Sequence, residues 1–413
     1  MEQHLNNTVT HLFRNEYGKV LALLTNKFGI SHVERIEDTL QDTFLKAMHL
    51  WGYQKIPDNP TAWLYKVAKN GMLDTLRREQ KVGYTNTTFL FDKAVNTDGF
   101  YTDNEITDSQ LKLIFACCHP SLSQEHQVIL SLKLIGGFSN KELAEALLKK
   151  EEAVAKSFTR AKRKFKEEVK LLQIPVQMGL QSRLFVVLQI IYLLFSEGYA
   201  ATSGMQMVKR DICYEALRLA LLLKKNSYCQ HPNLDALIAL ICFHASRFEA
   251  RLSEEGELIT LEFQNRSLYN KELIAIGTNH LERAETKDQL PSKYHLEAAV
   301  SYHHCMAPSF KETDWKNILV LYDLQLRTQY SPMAALNRIV PFTKVYGAEK
   351  GLKLLEDWKK NNEHQRVALF YTIKAELLAM LKRDFKPDLK KAIQLTENGL
   401  VKRHLEKKMT GNQ

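Results

Sequence analysis

Apolar residues recur at helical spacing along most of this chain, most clearly in SNKELAEALLKKEEAVAKSFTRAKRKFKE, residues 139–167. Val154, Phe158, Ala161 and Phe165 fall at i, i+4, i+7 and i+11, so they share one stripe of a helix. Lys156, Arg160 and Arg163 repeat at i, i+4 and i+7 on the opposite side, joined by Lys164. Upstream, Ser139 three residues before Glu142 is a capping box, a reciprocal pair that satisfies orphan N–H groups at a helix start. The pattern predicts a short helix to about Leu147, a tight turn at Leu148, Lys149 and Lys150, and a second helix from about Glu152. Two short helices, the second with an apolar stripe beneath a cationic face, read as a helix-turn-helix with its recognition helix. A surface helix with a merely solvated Lys/Arg face is the competing reading. The turn and the absence of acids between Ala153 and Lys166 favour the helix-turn-helix.

A second cationic helix is predicted near the N-terminus. Asn59 caps it, and Pro60 at the first helical position loses no useful N–H. From about Thr61 to Glu79, Leu64, Ala68, Gly71, Met72 and Thr75 cluster on one side, while Trp63, Lys66, Asn70, Asp74 and Arg77 fall on the other. An indole among Lys, Asn and Arg suits single-stranded nucleic acid, because bases stack on the ring while cations hold the backbone. A core tryptophan at a helix edge explains Trp63 equally well. Just upstream, residues 36–47 form an acidic amphipathic helix. Its acids are either a solvated face or a docking surface for a basic partner.

The expected fold class is all-α. Residues 10–80 read as three or four helices. Residues 81–105 lack helical periodicity and read as an acidic linker, with five acids and one Lys between Asn86 and Gln110. Helices resume at about Ile106, and Gly136 with Gly137 ends the one before the helix-turn-helix. After Pro175 the chain turns to long helices. Leu184–Phe195 is apolar nearly all round and is expected at the centre of a helical domain. Trp315, Ile318 and Tyr322, followed by Pro332 and a helix with Ala334 and Ala335, resemble a degenerate tetratricopeptide helix pair. A later pair spans Phe370–Leu381 and Leu389–Leu400. Stacked helix pairs make concave surfaces, which suit a protein partner or a self-contact. His280, His303, His304 and Arg266 either line such a groove or, as the preferred reading, are scattered surface residues.

Composition narrows the class of partner. The 413 residues carry 57 Lys+Arg against 47 Asp+Glu, a formal charge of +10 that favours an anionic partner. Arg160–Lys170 alone holds six cations and two acids. The six cysteines include one adjacent pair and no C-x-x-C, which argues against a disulfide framework and fits a reducing cytosol. Cys117-Cys118-His119 and His303-His304-Cys305 are read as packing rather than metal ligation, since adjacent helical residues point about 100° apart. No metal and no cofactor are expected. The first 18 residues lack the apolar core of a signal peptide, and the 12-residue run Leu184–Phe195 is short for a membrane span. A cytoplasmic protein without membrane attachment is therefore expected. No nucleophile elbow, P-loop, H-E-x-x-H or dinucleotide fingerprint occurs, so an enzyme is not expected.

The order of these pieces resembles the sigma-70 family, specifically its short extracytoplasmic-function sigma factors. EDTLQDTFLKAMHLW (Glu37–Trp51) is similar to that family's core-polymerase-binding helix, which implies Glu37, Asp38, Gln41, Asp42 and Phe44 as contact residues. NPTAWLYKVAKNGMLDTLRRE (Asn59–Glu79) is similar to its promoter-melting and −10-reading helix, implying Trp63, Lys66, Asn70 and Arg77. Leu122–Glu168 is similar to its −35-reading domain. There Lys156, Ser157 and Arg160 would read base edges and phosphates, and Arg163, Lys164 and Lys166 would hold the backbone. The remainder resembles a subgroup with a long helical C-terminal extension, seen in LFSEGYAATSG (Leu194–Gly204) and SPMAALNRIV (Ser331–Val340). The domain reading is thus 1–80 (region 2-like), 81–105 (linker), 106–175 (region 4-like) and 176–413 (a regulatory extension). In the resemblance the linker threads the polymerase; a solvated tether explains its charge equally well. Phe158 stands where Leu is more usual, so promoter sequence does not carry over. The implied function is promoter-specific initiation with core RNA polymerase and promoter DNA as partners. A helix-turn-helix repressor or activator with a ligand-sensing helical domain is the alternative.

Overall fold

A computed structural model describes residues 16–53, 56–82, 103–147, 149–175, 178–199, 210–253, 257–286, 290–362, 367–396 and 398–410. Their regular structure is helical, apart from an isolated antiparallel bridge between Leu252 and Leu258. The expected linker falls mostly outside the described residues. The chain forms two compact units, Met1–Ile190 and Ile191–Gln413.

The first unit contains both segments likened above to DNA-binding domains. It opens with α1 (residues 16–28), whose end is set by Gly29 at φ 89°, a left-handed position that favours glycine. Helix α2 (Val33–Tyr53) packs against α3 (Pro60–Val82) through a core of Ile36, Leu40, Leu64, Ala68 and Met72. The apolar side expected for α3 is thus the buried one, and the Asn59 side chain accepts the Ala62 N–H at 3.0 Å, as a cap should. Then follow α4 (Asp103–Cys117) and α5 (Gln124–Leu130), which runs on into a π-helical turn at Ser131–Ile135. That turn ends at Gly136 and Gly137, the latter at φ 67°. Helices α6 (Asn140–Ala146) and α7 (Glu151–Glu168) follow and pack on each other; Leu148 of the expected turn lies outside the described residues. Ser139 Oγ accepts the Glu142 N–H at 3.2 Å and Glu142 accepts the Ser139 N–H at 2.8 Å, completing the capping box.

Helix α8 (Met178–Tyr199) carries the chain into the second unit. It is not the fully enclosed helix its sequence suggested: Leu184, Val187, Leu188 and Ile191 are buried, but Phe185 and Gln189 face out. By length and hydropathy Gly179–Ser196 could cross a membrane, yet 44% of that stretch is buried against protein. The enclosed helix is α10 (Pro232–Ala245), in which every residue from Leu234 to Phe243 is buried. The sequence disguised it because Asp235 interrupts its apolar run. The Asp235 carboxylate meets Nδ1 of His280 and Nζ of Lys224, each at 2.7 Å. Burial opposes ionisation there, but these two hydrogen bonds prevail and hold Asp235 below the usual carboxylate range. The trio ties α9 (Arg210–Lys225), α10 and α11 (Lys271–Arg283) together, so His280 is a buried structural residue and not a surface one.

From there consecutive helices pack in turn: α12 (Lys293–Met306), α13 (Trp315–Thr328), α14 (Pro332–Tyr346), α15 (Ala348–Asn361), α16 (Ala368–Met380), α17 (Lys386–Leu395) and α18 (Gly399–Thr410). Leu336, Ile339, Leu355, Trp358, Phe370, Ile373 and Leu377 form the core of α14–α16. Two expected boundaries move. Helix α16 closes through Lys382 at φ 56°, a left-handed position without the usual glycine, and the helix expected to reach Leu400 stops at Leu395.

All six cysteines are free and buried. Burial pushes the Cys118 and Cys242 thiols up to about 12 and Cys229 up to about 11. Only about one part in ten thousand of a thiol with a pKa near 12 is thiolate at pH 8, and the thiolate is the reactive form. The native protein is therefore expected to react with a disulfide reagent at pH 8 at least a hundredfold more slowly than the urea-unfolded chain. Rapid modification of two or more thiols in the native state would contradict this burial.

Candidate nucleic-acid interface

Helix α7 is held from behind by Val154, Phe158, Ala161 and Phe165, all buried against α5 and α6. At about 100° per residue this stripe leaves Lys156, Arg160, Arg163 and Lys164 within one solvent-facing arc. All four are exposed. Arg163 has only a loose contact, 4.0 Å to Glu167. Helix α7 therefore presents an exposed cationic face.

Two residues expected on that face lie elsewhere. Ser157 is 2% exposed, and its hydroxyl donates to Glu125 Oε1 at 2.8 Å, the same oxygen that receives Lys149 Nζ at 2.8 Å. Hydrogen bonds from Lys149 and then Ser157 hold the Glu125 carboxyl low. Ser157 thus fastens α7 to α5 and does not belong to the exposed face. Lys166 is half-buried, with Nζ donating to Glu34 at 2.8 Å. It sits with Lys162 on the flank of α7 that faces α2.

That flank forms a clasp between the two parts of the first unit. Lys162 Nζ donates to Glu37 Oε2 at 2.8 Å while lying 4.5 Å from the Phe158 ring centroid. Glu37 is 6% exposed. Burial, the dominant influence, raises its pKa, opposed by Lys162 and Lys133. Lys133, half-buried with Nζ 5.2 Å from the Phe158 ring centroid, is itself lowered by burial. Beside the clasp, Gly18 of α1 approaches the π-helical turn so closely that a Cβ there would lie 2.1 Å from the Ile135 carbonyl oxygen. Glu37, expected on an open docking face, is thus committed to an internal ion pair.

The rest of α2 does present a face. Asp38, Gln41 and Asp42 are exposed on one side of the helix, together with Leu45 and Met48 at 56% and 50% exposure. Sequence reasoning passed over those two apolar residues, although they continue the same side at i+7 and i+10 from Asp38. Phe44 turns away from this face and stacks on Tyr17, with ring centroids 6.0 Å apart. On α3, Lys66, Asn70 and Arg77 are exposed in one row. Arg77 lies 3.6 Å from Asp74 in that row, so one of its charges is partly answered. Trp63 heads the row half-buried, its ring 5.3 Å from that of Trp51 and tilted by 59°. It is neither a core residue nor a free platform: one face is packed on a second indole.

Residues 12–82 match the sigma-70 region 2 family, and residues 183–285 match a family of unknown function, DUF6596. An uncharacterised protein of Rhizobium meliloti (strain 1021) is 30% identical over 329 residues, covering 79% of this chain and 77% of its own length. RNA polymerase sigma factor YlaC of Bacillus subtilis (strain 168) is 24% identical over 143 residues, 34% of this chain and 79% of its own. No solved structure matches. The chain therefore carries a sigma-70 region 2 in residues 12–82, and over most of its length it is similar to the Rhizobium protein.

Proposed function

We propose that this chain is an RNA polymerase sigma factor of the extracytoplasmic-function type, and that the form described here is its closed, resting state. The observation that carries the reading is the match to region 2 over residues 12–82, followed in the same chain by a helix-turn-helix with an exposed cationic helix. In this reading Asp38, Gln41, Asp42, Leu45 and Met48 of α2 engage core polymerase, an apolar centre flanked by acids. Trp63, Lys66, Asn70 and Arg77 of α3 hold the opened strand at −10. Lys156, Arg160, Arg163 and Lys164 read and grip the −35 duplex. The protein acts in the cytoplasm as a non-catalytic specificity subunit, and its helical extension, tetratricopeptide-like in its paired helices, regulates initiation in cis.

The closed state follows from distance. Elements centred at −35 and −10 lie about 25 base pairs apart, roughly 85 Å at 3.4 Å per pair. Helices joined by the 2.8 Å contacts Glu37–Lys162 and Glu34–Lys166 do not span that separation, so the clasp must open on the promoter. The test mixes purified full-length protein with core polymerase and a library of genomic fragments, then maps transcript starts. New, recurrent starts absent with core alone are expected. Starts indistinguishable from core alone, with specific duplex binding retained, would leave a helix-turn-helix repressor or activator.

A further inference from the structure

The second unit holds a half-open cavity of about 500 Å³ whose wall is chemically unusual. It is built by the end of α8, by α10 with the turn that follows it, by α12, and by the start of α14. Arg247 lines it and is 6% exposed. Its Nη2 donates to the Tyr199 hydroxyl at 3.2 Å and to Nδ1 of His244 at 3.0 Å, while its Nε is buried without a partner among the described residues. Behind the wall Arg251, also 6% exposed, lies 3.9 Å over the Tyr199 ring and donates to the Tyr199 carbonyl at 3.1 Å. Among the described residues neither guanidinium bonds a carboxylate.

A guanidinium does not shed its proton inside a protein, so both charges are present whatever their surroundings. Buried cations are ordinarily paired with an anion, and here their partners are neutral. The histidines do not add to the positive charge. Burial, reinforced by the arginines, drives His244 well below its ordinary value and His304 down to about 3. His244, accepting from Arg247 at Nδ1, donates through Nε2 to Ser301 at 3.1 Å. His304, on the same wall, keeps a buried Nδ1 with no partner. The acid that lines the cavity, Glu297, is engaged by the Tyr192 hydroxyl at 2.9 and 3.2 Å and makes no ion pair with Arg247. Burial raises its pKa, which blunts it as a counter-charge. Here, then, are a charged guanidinium with no anionic partner among the described residues and a neutral imidazole with an unbonded ring nitrogen, both on residues that line one cavity. Tyr322, Met333 and Ala334 supply an apolar opposite wall.

We propose that this cavity binds a small organic anion, a carboxylate or a phosphate monoester, whose oxyanion pairs with the Arg247 guanidinium beside the His304 imidazole while its body lies against Tyr322 and Met333. The size fits a metabolite, since ligand cavities of this kind run from about 300 to 1,000 Å³. The site is independent of the sigma reading: it would bind its anion whether the first unit serves polymerase or acts as a repressor.

The experiment uses the full chain and isothermal calorimetry, with thermal melting in parallel, in chloride buffer at fixed ionic strength. Inorganic phosphate and glycerol 3-phosphate form one arm, succinate and citrate the other. One arm is expected to show saturable one-to-one binding and to raise the melting temperature over chloride, which also tells phosphate from carboxylate. Arg247→Gln should weaken that binding at least tenfold. It should also leave the unliganded protein as stable or more so, because it removes an uncompensated buried charge. Should that variant fail to fold, Val300→Phe fills the cavity from α12 without touching either arginine and should weaken binding by a similar factor. No saturable binding by any of the four probes would overturn the proposal, as would binding that survives both substitutions.

Discussion

Replacing Arg160 with alanine is expected to cost about 1–3 kcal/mol of discrimination at one or two positions of the −35 element, while leaving non-specific affinity nearly intact. The expectation rests on geometry. Arg160 lies at the centre of the exposed arc of α7, without an ion pair to any acid among the described residues, and the helix beneath it is fixed by Phe158, Ala161 and the Ser157–Glu125 bond. A planar guanidinium can donate to both O6 and N7 of a guanine, and an alanine replaces neither bond. Lys164, also exposed but at the edge of the arc, should behave differently. Its alanine variant should weaken all duplexes alike and flatten the salt dependence by about one unit, as the loss of one phosphate contact requires. Competition binding against a panel of single-base variants, at two salt concentrations, separates the two patterns. If Arg160→Ala lowers every duplex equally, the reading face lies elsewhere on α7.

How much of this was legible in the sequence depended on whether a signal was local. The capping box at Ser139 and Glu142, the glycine stop at Gly136 and Gly137, and the stripe Val154–Phe165 are short-range patterns, and each formed as expected. The all-α class followed from the same periodicity. What the sequence concealed were contacts between distant segments. Ser157 and Arg160 look alike as polar residues of a recognition helix. Only the arrival of Glu125, 32 residues away, turns Ser157 inward. Glu37 and Asp38 are neighbours in an acidic run, yet one is buried by Lys162 and the other stays exposed. His280 reads from sequence as a scattered surface residue, and Arg247 carries no signal at all. Their burial is decided by where α10 lies, and α10 was hidden by the charge of Asp235. One signal could have been used: Leu45 and Met48 break an otherwise polar side of α2, and two apolar residues on a charged face mark a contact surface.

Gly18→Leu is expected to open the clasp. A Cβ at position 18 would lie 2.1 Å from the Ile135 carbonyl oxygen, a backbone atom that no side-chain rotation can move aside. The larger residue therefore separates α1 and α2 from the π-helical turn and α7. The ion pair between Glu37 and Lys162 is the opposing hold. It is nearly enclosed, and stripping one partner from such a pair costs about 3–5 kcal/mol because the other charge is left buried. Opening differs from stripping, since both groups return to water together and each regains hydration. The clasp is thus stable enough to persist yet can release without stranding a charge, which is what a resting state needs. Once open, Lys162 and Lys166 lose Glu37 and Glu34 and become available to phosphates. The salt dependence of −35 duplex binding should then steepen by about two units, at roughly 0.9 per added contact. Affinity for core polymerase should also rise, by the factor through which the closed form had reduced the competent population. Gly18 itself lies on neither the exposed face of α2 nor the cationic arc of α7, so these gains would come from opening alone. Small-angle scattering should show an increased radius of gyration for the same chain. A variant that melts lower but keeps the parent's radius and salt slope would show that the contact is ordinary packing and not a clasp.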